Sequence, residues 1–580
     1  MRWLVLALLV ACRAPATPVQ ATDGHVVASN VLRRDYAGSE KCADCHAQVY
    51  AAWKASPMRN MTRDAATAQI KAPFDGATLH VGPDTCVMES ENGARYMRVT
   101  TAEGMERFRV TKVVGGHYRE DFVGVSEQRG GPEHVLPATY VFATRSWRYK
   151  GYSVMVKERP RMSVRGVWSQ ECIGCHNTLP LATMLYDELY GPGLPGYQGK
   201  LSDRVLPSQK VWRAKPRDAD ALARALGDEI RFLGADPPDS RSLRTLLPAA
   251  ATASEQRLDG QHLVELGIGC EACHNGSREH VANEKVLPAF AARTSLFGVA
   301  PPKGQTGSRA QWINHTCAKC HTVLFTRYPW TWEGGERKRE AGGSTINSGE
   351  GRDFQLGGCS SQMACTDCHD PHAADPSEQL AKLGTPAGNA VCARCHAEIA
   401  AGVQGHSHHK AGGAGSACLG CHMPKKNMGL DYGLVRYHRI GSPTDAERVQ
   451  GDRPLECALC HADKSVGELV GAMETWWGKN YDRGALARLY GDDLGANALR
   501  ATLVRGKPHE QAVAIVVMGE RRDVRDIPQL APQLAHDYPL VRYFALRALQ
   551  TITGEAIPID VGAAAPDVRA AGEAWLRARH

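Results

Sequence analysis

One pattern constrains this chain more than any other feature: Cys-x-x-Cys-His, repeated eight times. The copies are Cys42/Cys45/His46, Cys172/Cys175/His176, Cys270/Cys273/His274, Cys317/Cys320/His321, Cys365/Cys368/His369, Cys392/Cys395/His396, Cys418/Cys421/His422 and Cys457/Cys460/His461. They use 16 of the 19 cysteines. The spacing carries a chemistry. The two thiols can add across the two vinyl groups of one porphyrin, and the adjacent His is left to bind iron from one face, the attachment signature of c-type haem. A structural zinc site needs four ligands and gives no reason to place a His after every second Cys. A disulfide framework belongs to small secreted domains, not to a chain of 580 residues. Eight covalently bound haem c groups are therefore expected, held by these cysteines and ligated by the motif His.

Composition limits what surrounds them. Hydrophobic residues make up 43% and charged residues 23%, so the chain can bury cores. The 58 Gly and 32 Pro point to much turn and irregular backbone. A net charge of +7 with no long basic block excludes nucleic acid as a partner. Each ferric haem c adds roughly −1 once its propionates ionise. The loaded protein is then nearly neutral, and strong electrostatic steering is not expected.

The chain opens with Met1-Arg2-Trp3 and an apolar run from Leu4 to Ala11, followed by Cys12. A positive start and a short apolar run read as an export signal, residues 1–11. The run is far below the roughly 20 residues that span a bilayer. Leu9-Val10-Ala11-Cys12 is similar to a bacterial lipobox, with Cys12 as the lipidated first residue; cleavage near Ala14 or Ala16 is the alternative. Either reading places the protein outside the cytoplasm, periplasmic or associated with the outer membrane.

Residues 12–38 read as a flexible tether and 39–69 as a first haem segment. Residues 70–168 lack a motif and carry β-branched runs at 96–100, 108–114 and 140–143, expected as a small β-rich insertion. Residues 169–465 carry seven motifs joined by Gly/Pro-rich links such as 191–196, a body whose core is largely haem. Beyond it, Val541, Phe544, Ala545, Ala548 and Leu549 repeat at helical spacing, with Pro539 placed to start a helix and Gly554 to end it. Ile527, Leu530 and Leu534 form a shorter stripe. The fold expected is mainly α and irregular, with the β-rich insertion and an α-helical repeat domain at 482–580.

Eight of the 23 His belong to motifs, and the rest decide what each iron does. A second axial ligand makes a haem suited to electron transfer, whereas an open face permits substrate chemistry. His280, His372 and His438 lie near motifs and are expected as distal ligands, as are His315, His117, His406 and His409. His25, His80, His134, His509, His536 and His580 read as ordinary surface residues.

Several stretches resemble the multihaem cytochromes c related to cytochrome c-554. They are Cys392 to His396, His406 to His409, Cys418 to Pro424, Arg436-Tyr437-His438-Arg439-Ile440, and Cys457 to Ser465. Gly269 to His274, Cys368-His369-Asp370-Pro371-His372 and Cys42 to Met58 are similar to the same group. In that last stretch the family often carries a distal His where this chain has Met58, which makes Met58 a candidate ligand of the first haem. The segment from Pro539 to Leu549 resembles a HEAT repeat, which implies a surface for a protein partner. Cys-x-x-Cys-Lys, used by ammonia-forming nitrite reductases, does not occur, and neither does the wide Cys spacing of a sulfite-reducing relative. The resemblance implies an exported electron carrier working between redox partners. The alternative is an oxidoreductase acting on a small nitrogen or sulfur compound at one open haem.

Overall fold

The computed structural model describes residues 25–150, 157–158, 161–164, 166–190, 206–321, 349–429 and 433–579. The export signal, Cys12 and the link at 191–196 lie outside the described residues.

Nine strands form one antiparallel sheet. They are β1 (Thr62–Asp64), β2 (Thr78–Val81), β3 (Asp84–Glu91), β4 (Ala94–Thr101), β5 (Gly104–Gly115), β6 (Arg119–Ser126), β7 (Gly130–Val135), β8 (Ala138–Val141) and β9 (Ser146–Tyr149). The order is β2-β3-β4-β5-β6-β8-β9, with β1 also on β5 and β7 also on β6. The end strands β2 and β9 approach each other, so the sheet curls nearly shut. Alternation decides which face is inside. Met88, Met97 and Phe108 pair across β3, β4 and β5, and all three are fully buried with Phe122 and Leu136. The β3–β4 turn uses Asn92 and Gly93 at φ +50° and +82°, the left-handed pair that matches strand twist in a two-residue hairpin. β2 to β9 fall within the 70–168 segment expected to be β-rich, and β1 lies just before it. The three β-branched runs fall on β4, β5 and β8, while the other strands are short or polar and advertise themselves less.

A second core lies within the haem body. Helices Leu181–Tyr190, Ala219–Phe232 and Leu243–Arg257 pack together, burying Leu185, Leu222, Leu226, Ile230, Leu246 and Leu247. Asp218 caps the second of these by accepting from Ala221 N. The largest core belongs to the C-terminal helices, and it starts earlier than residue 482. Helix Val466–Trp477 contributes Leu469, Val470 and Met473 to the same core as Leu486, Leu503 and Phe544. Its start is fixed by a reciprocal cap between Ser465 and Glu468.

Helix Pro539–Thr553 begins at Pro539 and ends at Gly554, whose φ is +72°. Its apolar stripe is buried against helix Pro508–Arg521. A Cβ at Gly519 would lie 2.7 Å from Ala548 Cα, so only glycine permits that crossing. Arg542, fully buried, donates to Ala563 O at 3.1 Å and pairs with Glu158 Oε2 at 2.5 Å. Together with Arg148 over the Tyr543 ring, this joins the helical tail to the sheet. Among the described residues no helix is long and apolar enough to cross a membrane.

Candidate haem sites and their ligands

The motifs share one local geometry. Cys270–His274 and Cys418–His422 are single helical turns. In the other six the His amide donates to the carbonyl of the first Cys, at 2.9–3.2 Å. A helical turn puts positions i, i+3 and i+4 on one side. Both thiols and the imidazole of each motif therefore face the same way, as one porphyrin requires.

Motifs dock in pairs through a repeated device. Ser39 Oγ accepts from Cys270 N at 2.9 Å, Asn314 Oδ1 from Cys365 N at 2.9 Å, and Asn389 Oδ1 from Cys418 N at 2.8 Å. Each of these polar residues stands three places before the first Cys of its own motif. Each thus caps the opening turn of the partner motif. In consequence Cys42 lies against Cys270, Cys317 against Cys365, and Cys392 beside Cys418. Further contacts join the pairs: Cys273 neighbours Cys317, Cys320 meets Cys175, Cys368 neighbours Cys392, and Cys421 neighbours Cys460. The motifs form one connected series, first-third-fourth-fifth-sixth-seventh-eighth, with the second motif branching from the fourth.

Enclosure by protein is uneven among the motifs. Cys45, Cys395 and Cys460, the second thiols of the first, sixth and eighth motifs, are exposed, whereas the other motif thiols are half-buried. His46, His396 and His461, next in the chain, are exposed too. The reason is the docking geometry. In the first and sixth motifs the leading thiols, Cys42 and Cys392, are the ones packed on a partner turn. Cys45 and Cys395 stand one turn further on, where no segment among the described residues covers them. In the eighth, Cys457 packs against the C-terminal core and Cys460 lies beyond it. The i, i+3 geometry still presents Cys45 and Cys395 on the same side as their partners, as attachment of one haem at each motif requires.

Five motif imidazoles each face a second imidazole. Ring centroids are 6.2 Å apart for His46 and His280, for His274 and His372, and for His369 and His438. They are 6.0 Å apart for His422 and His406, and 5.9 Å for His461 and His409. Two metal–imidazole bonds of about 2 Å, with half a ring at either end, span roughly 6 Å. These gaps fit an iron with two axial His. None of the facing His comes from the motif nearest before it in the chain: His280 follows the third motif yet faces the first, and His372 follows the fifth yet faces the third. Backbone carbonyls fix the rings at Nδ1: Val286 O for His280 at 2.8 Å, Arg436 O for His438 at 2.9 Å, and Gly441 O for His422 at 3.0 Å. Occupying Nδ1 leaves Nε2 as the ligand atom. Burial, then the neighbouring His, lowers His274 and His369 to about 4 and keeps them neutral, the form that binds metal.

The remaining expected ligands stand elsewhere. Met58 lines the cavity near the first motif, but His280 is the residue whose ring faces His46. His315 is stacked on Trp212 at 4.4 Å, and burial pushes it down to about 3. His117 packs on Tyr118 at 4.3 Å. Among the described residues, His176, His321 and His396 are the motif rings with no imidazole at such a distance. His321 Nδ1 lies 3.3 Å from Glu350 Oε2. Burial alone would lower His321, but the Glu350 hydrogen bond and charge outweigh it and raise it to about 9. His176 is lowered to about 4 by burial and then by Lys150. A cavity of about 1190 Å³ runs from the Cys172, Cys270 and Cys317 motifs past His46, His280 and His372 to the sheet.

Sequence reading missed Glu350 and the three capping residues. It also missed Glu271, inside the third motif, whose carboxylate accepts from Ala37 N, Gly38 N and Ser277 N. The available signal was Ser or Asn three places before the first Cys, at Ser39, Asn314 and Asn389. Cys86 and Cys359, which an oxidising compartment could have paired, are apart: Cys86 is inside the sheet and Cys359 beside the sixth motif. His509 is buried, not a surface residue, and sits with Asp452 and Glu510. Those carboxylates are already paired with Lys426 and Arg453.

The family model described as "Doubled CXXCH motif" matches residues 359–401, which hold the fifth and sixth motifs. No curated protein matches the chain in sequence. Among solved structures, the outer cell wall cytochrome OcwA aligns over 89% of this chain and 100% of its own, at 14% identity and a TM-score of 0.34. So low a score carries no argument about fold. The repeated motif and the family match define a multihaem c-type cytochrome with covalently bound haem c, a class whose chemistry is electron transfer.

Proposed function

We propose that the chain is an exported octahaem cytochrome that passes electrons between redox partners along its series of motifs. The observation that carries this reading is the set of five facing imidazole pairs. When bound, haem c supplies a one-electron iron couple. The chain's own residues hold it by two thiols and a motif His. His280, His372, His438, His406 and His409 cap the opposite faces, and the docked turns keep successive motifs adjacent. Capping removes the open position at which substrate chemistry would occur.

Mass spectrometry of the mature protein tests the count, with eight haem additions expected. Electron paramagnetic resonance of the oxidised protein tests the ligands. Low-spin signals should dominate, and His280→Ala should convert one of them to high-spin. An unchanged spectrum in that variant would remove His280 as a ligand and sink the pairing scheme.

A second reading is supported where a motif ring lacks a facing imidazole, which among the described residues holds for His176, His321 and His396. His176 has no imidazole opposite it among the described residues, and its cavity reaches a charged wall of the sheet. An iron held there with one open position makes the protein an oxidoreductase toward a small nitrogen or sulfur compound. Export, anchoring through a lipid on Cys12 and docking of a partner by the C-terminal helices complete the proposal. Val504→Asp and Val524→Asp, at exposed apolar positions of the C-terminal helices, should weaken partner binding while haem spectra persist.

A further inference from the structure

We propose that Trp477 and His408 lock the turn His406-Ser407-His408-His409, so that one short segment supplies the facing imidazoles of two motifs, the seventh and the eighth, and ties their haems together. His408 and Trp477 are then positioning residues. This rests on the reading above in which His406 and His409 cap those two haems.

Two imidazoles three residues apart serve different motifs here: His406 faces His422, and His409 faces His461. On a continuous helix, residues at that spacing lie on one side and would serve the same haem. The helix Val403–Ser407 instead ends at His408, whose φ of +57° and ψ of +23° are left-handed. His408 N still donates to Gln404 O at 2.9 Å, closing the last helical turn. The left-handed residue then swings the chain away, and the two imidazoles diverge toward separate motifs. Few residues other than Gly adopt this conformation, and it persists where the surroundings hold it.

Helix Val466–Trp477 provides those surroundings. The His408 ring stacks on Trp476 with centroids 5.1 Å apart and 17° between planes, and it meets Trp477 edge-on at 5.1 Å. Trp477 Nε1 donates to His406 O at 2.9 Å. A carbonyl in the last turn of a helix lacks an intrahelical partner, and the indole supplies one. The same helix starts just after the eighth motif and is rooted in the C-terminal core through Leu469, Val470 and Met473. It therefore leaves the eighth motif at one end and grips the turn facing that motif at the other. His409 has a seat of its own. Its Nδ1 lies 2.6 Å from Ser407 O, which leaves Nε2 toward His461. A Cβ at Gly415 would collide with the His409 ring, so the backbone there is packed on the imidazole. Movement of the whole turn is shared by both haems, whereas movement of the His409 ring concerns the eighth alone.

The test uses the haem-loaded full chain, with an unchanged haem mass as the sign of a folded variant. His406→Ala and His409→Ala assign the seventh and eighth low-spin signals, each by converting one of them to high-spin in paramagnetic resonance. If neither converts, the capping reading fails and takes this proposal with it. Trp477→Phe keeps a ring and removes the N–H. It should shift the g values of both assigned signals. In a redox titration followed by the same signals, it should change the ferric-to-ferrous ratio of both haems about threefold or more at a fixed potential, the scale of one hydrogen bond. The other low-spin signals should stay in place. His408→Val, which is barred from the left-handed region, should shift both signals at least as far, and His408→Gly, which enters it freely, should bring both most of the way back. Gly415→Ala should move the eighth signal alone. If Trp477→Phe shifts one of the two signals or neither, the proposal is overturned while the capping reading stands. The same holds if His408→Gly shifts them as far as His408→Val, or if Gly415→Ala moves both equally. Should His408→Val fail to load its haems, Trp477→Phe alone decides.

Discussion

Glu271 is the side chain on which the docking of the first motif onto the third most depends. It stands between the two cysteines of Cys270-Glu271-Ala272-Cys273-His274 and is 2% exposed. Its carboxylate receives Ala37 N at 2.9 Å, Gly38 N at 2.7 Å and Ser277 N at 2.8 Å. The first two amides lie just ahead of Cys42, and the third opens the helix Arg278–Ala282 that carries His280. One carboxylate therefore positions both segments that supply the facing pair His46 and His280. Glu271→Ala strips a charged acceptor from three amides, one buried and two half-buried. A hydrogen bond to a charged group contributes about 1.5–3 kcal/mol, and an orphaned buried donor costs about 1–3 kcal/mol. Allowing for non-additivity within one cluster, the loss should be about 4–6 kcal/mol. Glu271→Gln keeps one acceptor oxygen and should lose about half of that. Urea unfolding of the haem-loaded variants, followed by tryptophan fluorescence, measures the change in midpoint at constant slope. Paramagnetic resonance of the same samples should show the low-spin signal assigned through His280→Ala broadened or converted to high-spin. A loss below about 1 kcal/mol with an unperturbed first-haem signal would refute the claim that this carboxylate docks the two motifs.

Three further outcomes are expected. Asn314→Ala removes the acceptor for Cys365 N and the donor to Ser360 O and Met363 O, and should cost about 2–3 kcal/mol by the same urea assay. Glu350→Gln removes the anionic partner of His321 Nδ1, which stabilises ferric iron. One component of a spectroelectrochemical titration should rise in potential, by about 59 mV for each tenfold change in the ferric-to-ferrous ratio, with the others unmoved. Ser465→Ala breaks the reciprocal cap with Glu468 and should cost about 1 kcal/mol in thermal or urea unfolding, with no change in the haem spectra.

How much was legible in advance differs by element. The attachment motifs were fully legible, because covalent attachment demands residues contiguous in sequence. Their depth was not: nothing local separates the exposed Cys45 and Cys395 from the half-buried Cys273 and Cys368. The helix from Pro539 to Thr553 was legible because its cap residues and its stripe lie within one run of sixteen positions including Gly554. Helix Ala219–Phe232 was legible in principle, with Leu222, Leu226 and Ile230 four apart and Asp218 as cap. The sheet was legible in outline, since β2 to β9 fall within 70–168 and the β-branched runs lie on β4, β5 and β8, whereas β1, at 62–64, joins β5 only through folding. Met58 was read from its position after Trp53 and Ser56, yet His280, over 200 residues later, is the group brought opposite His46. No local signal distinguishes His315, which packs between tryptophans, from His372, which faces His274.

By itself the sequence determined the chemistry: which thiols and which first imidazole hold each haem, since these are bonded neighbours along the chain. It also bounded the supply of second ligands through the number of spare His. Only the tertiary structure decided who faces whom. An axial pair needs two rings about 6 Å apart across a gap, and that distance is set by the packing of separate turns. The capping contacts at Ser39, Asn314 and Asn389, the clamp at Glu271 and the turn held by Trp477 are all relations between segments distant in sequence. Spacing along the chain does not encode them, because the backbone returns to each point only after folding.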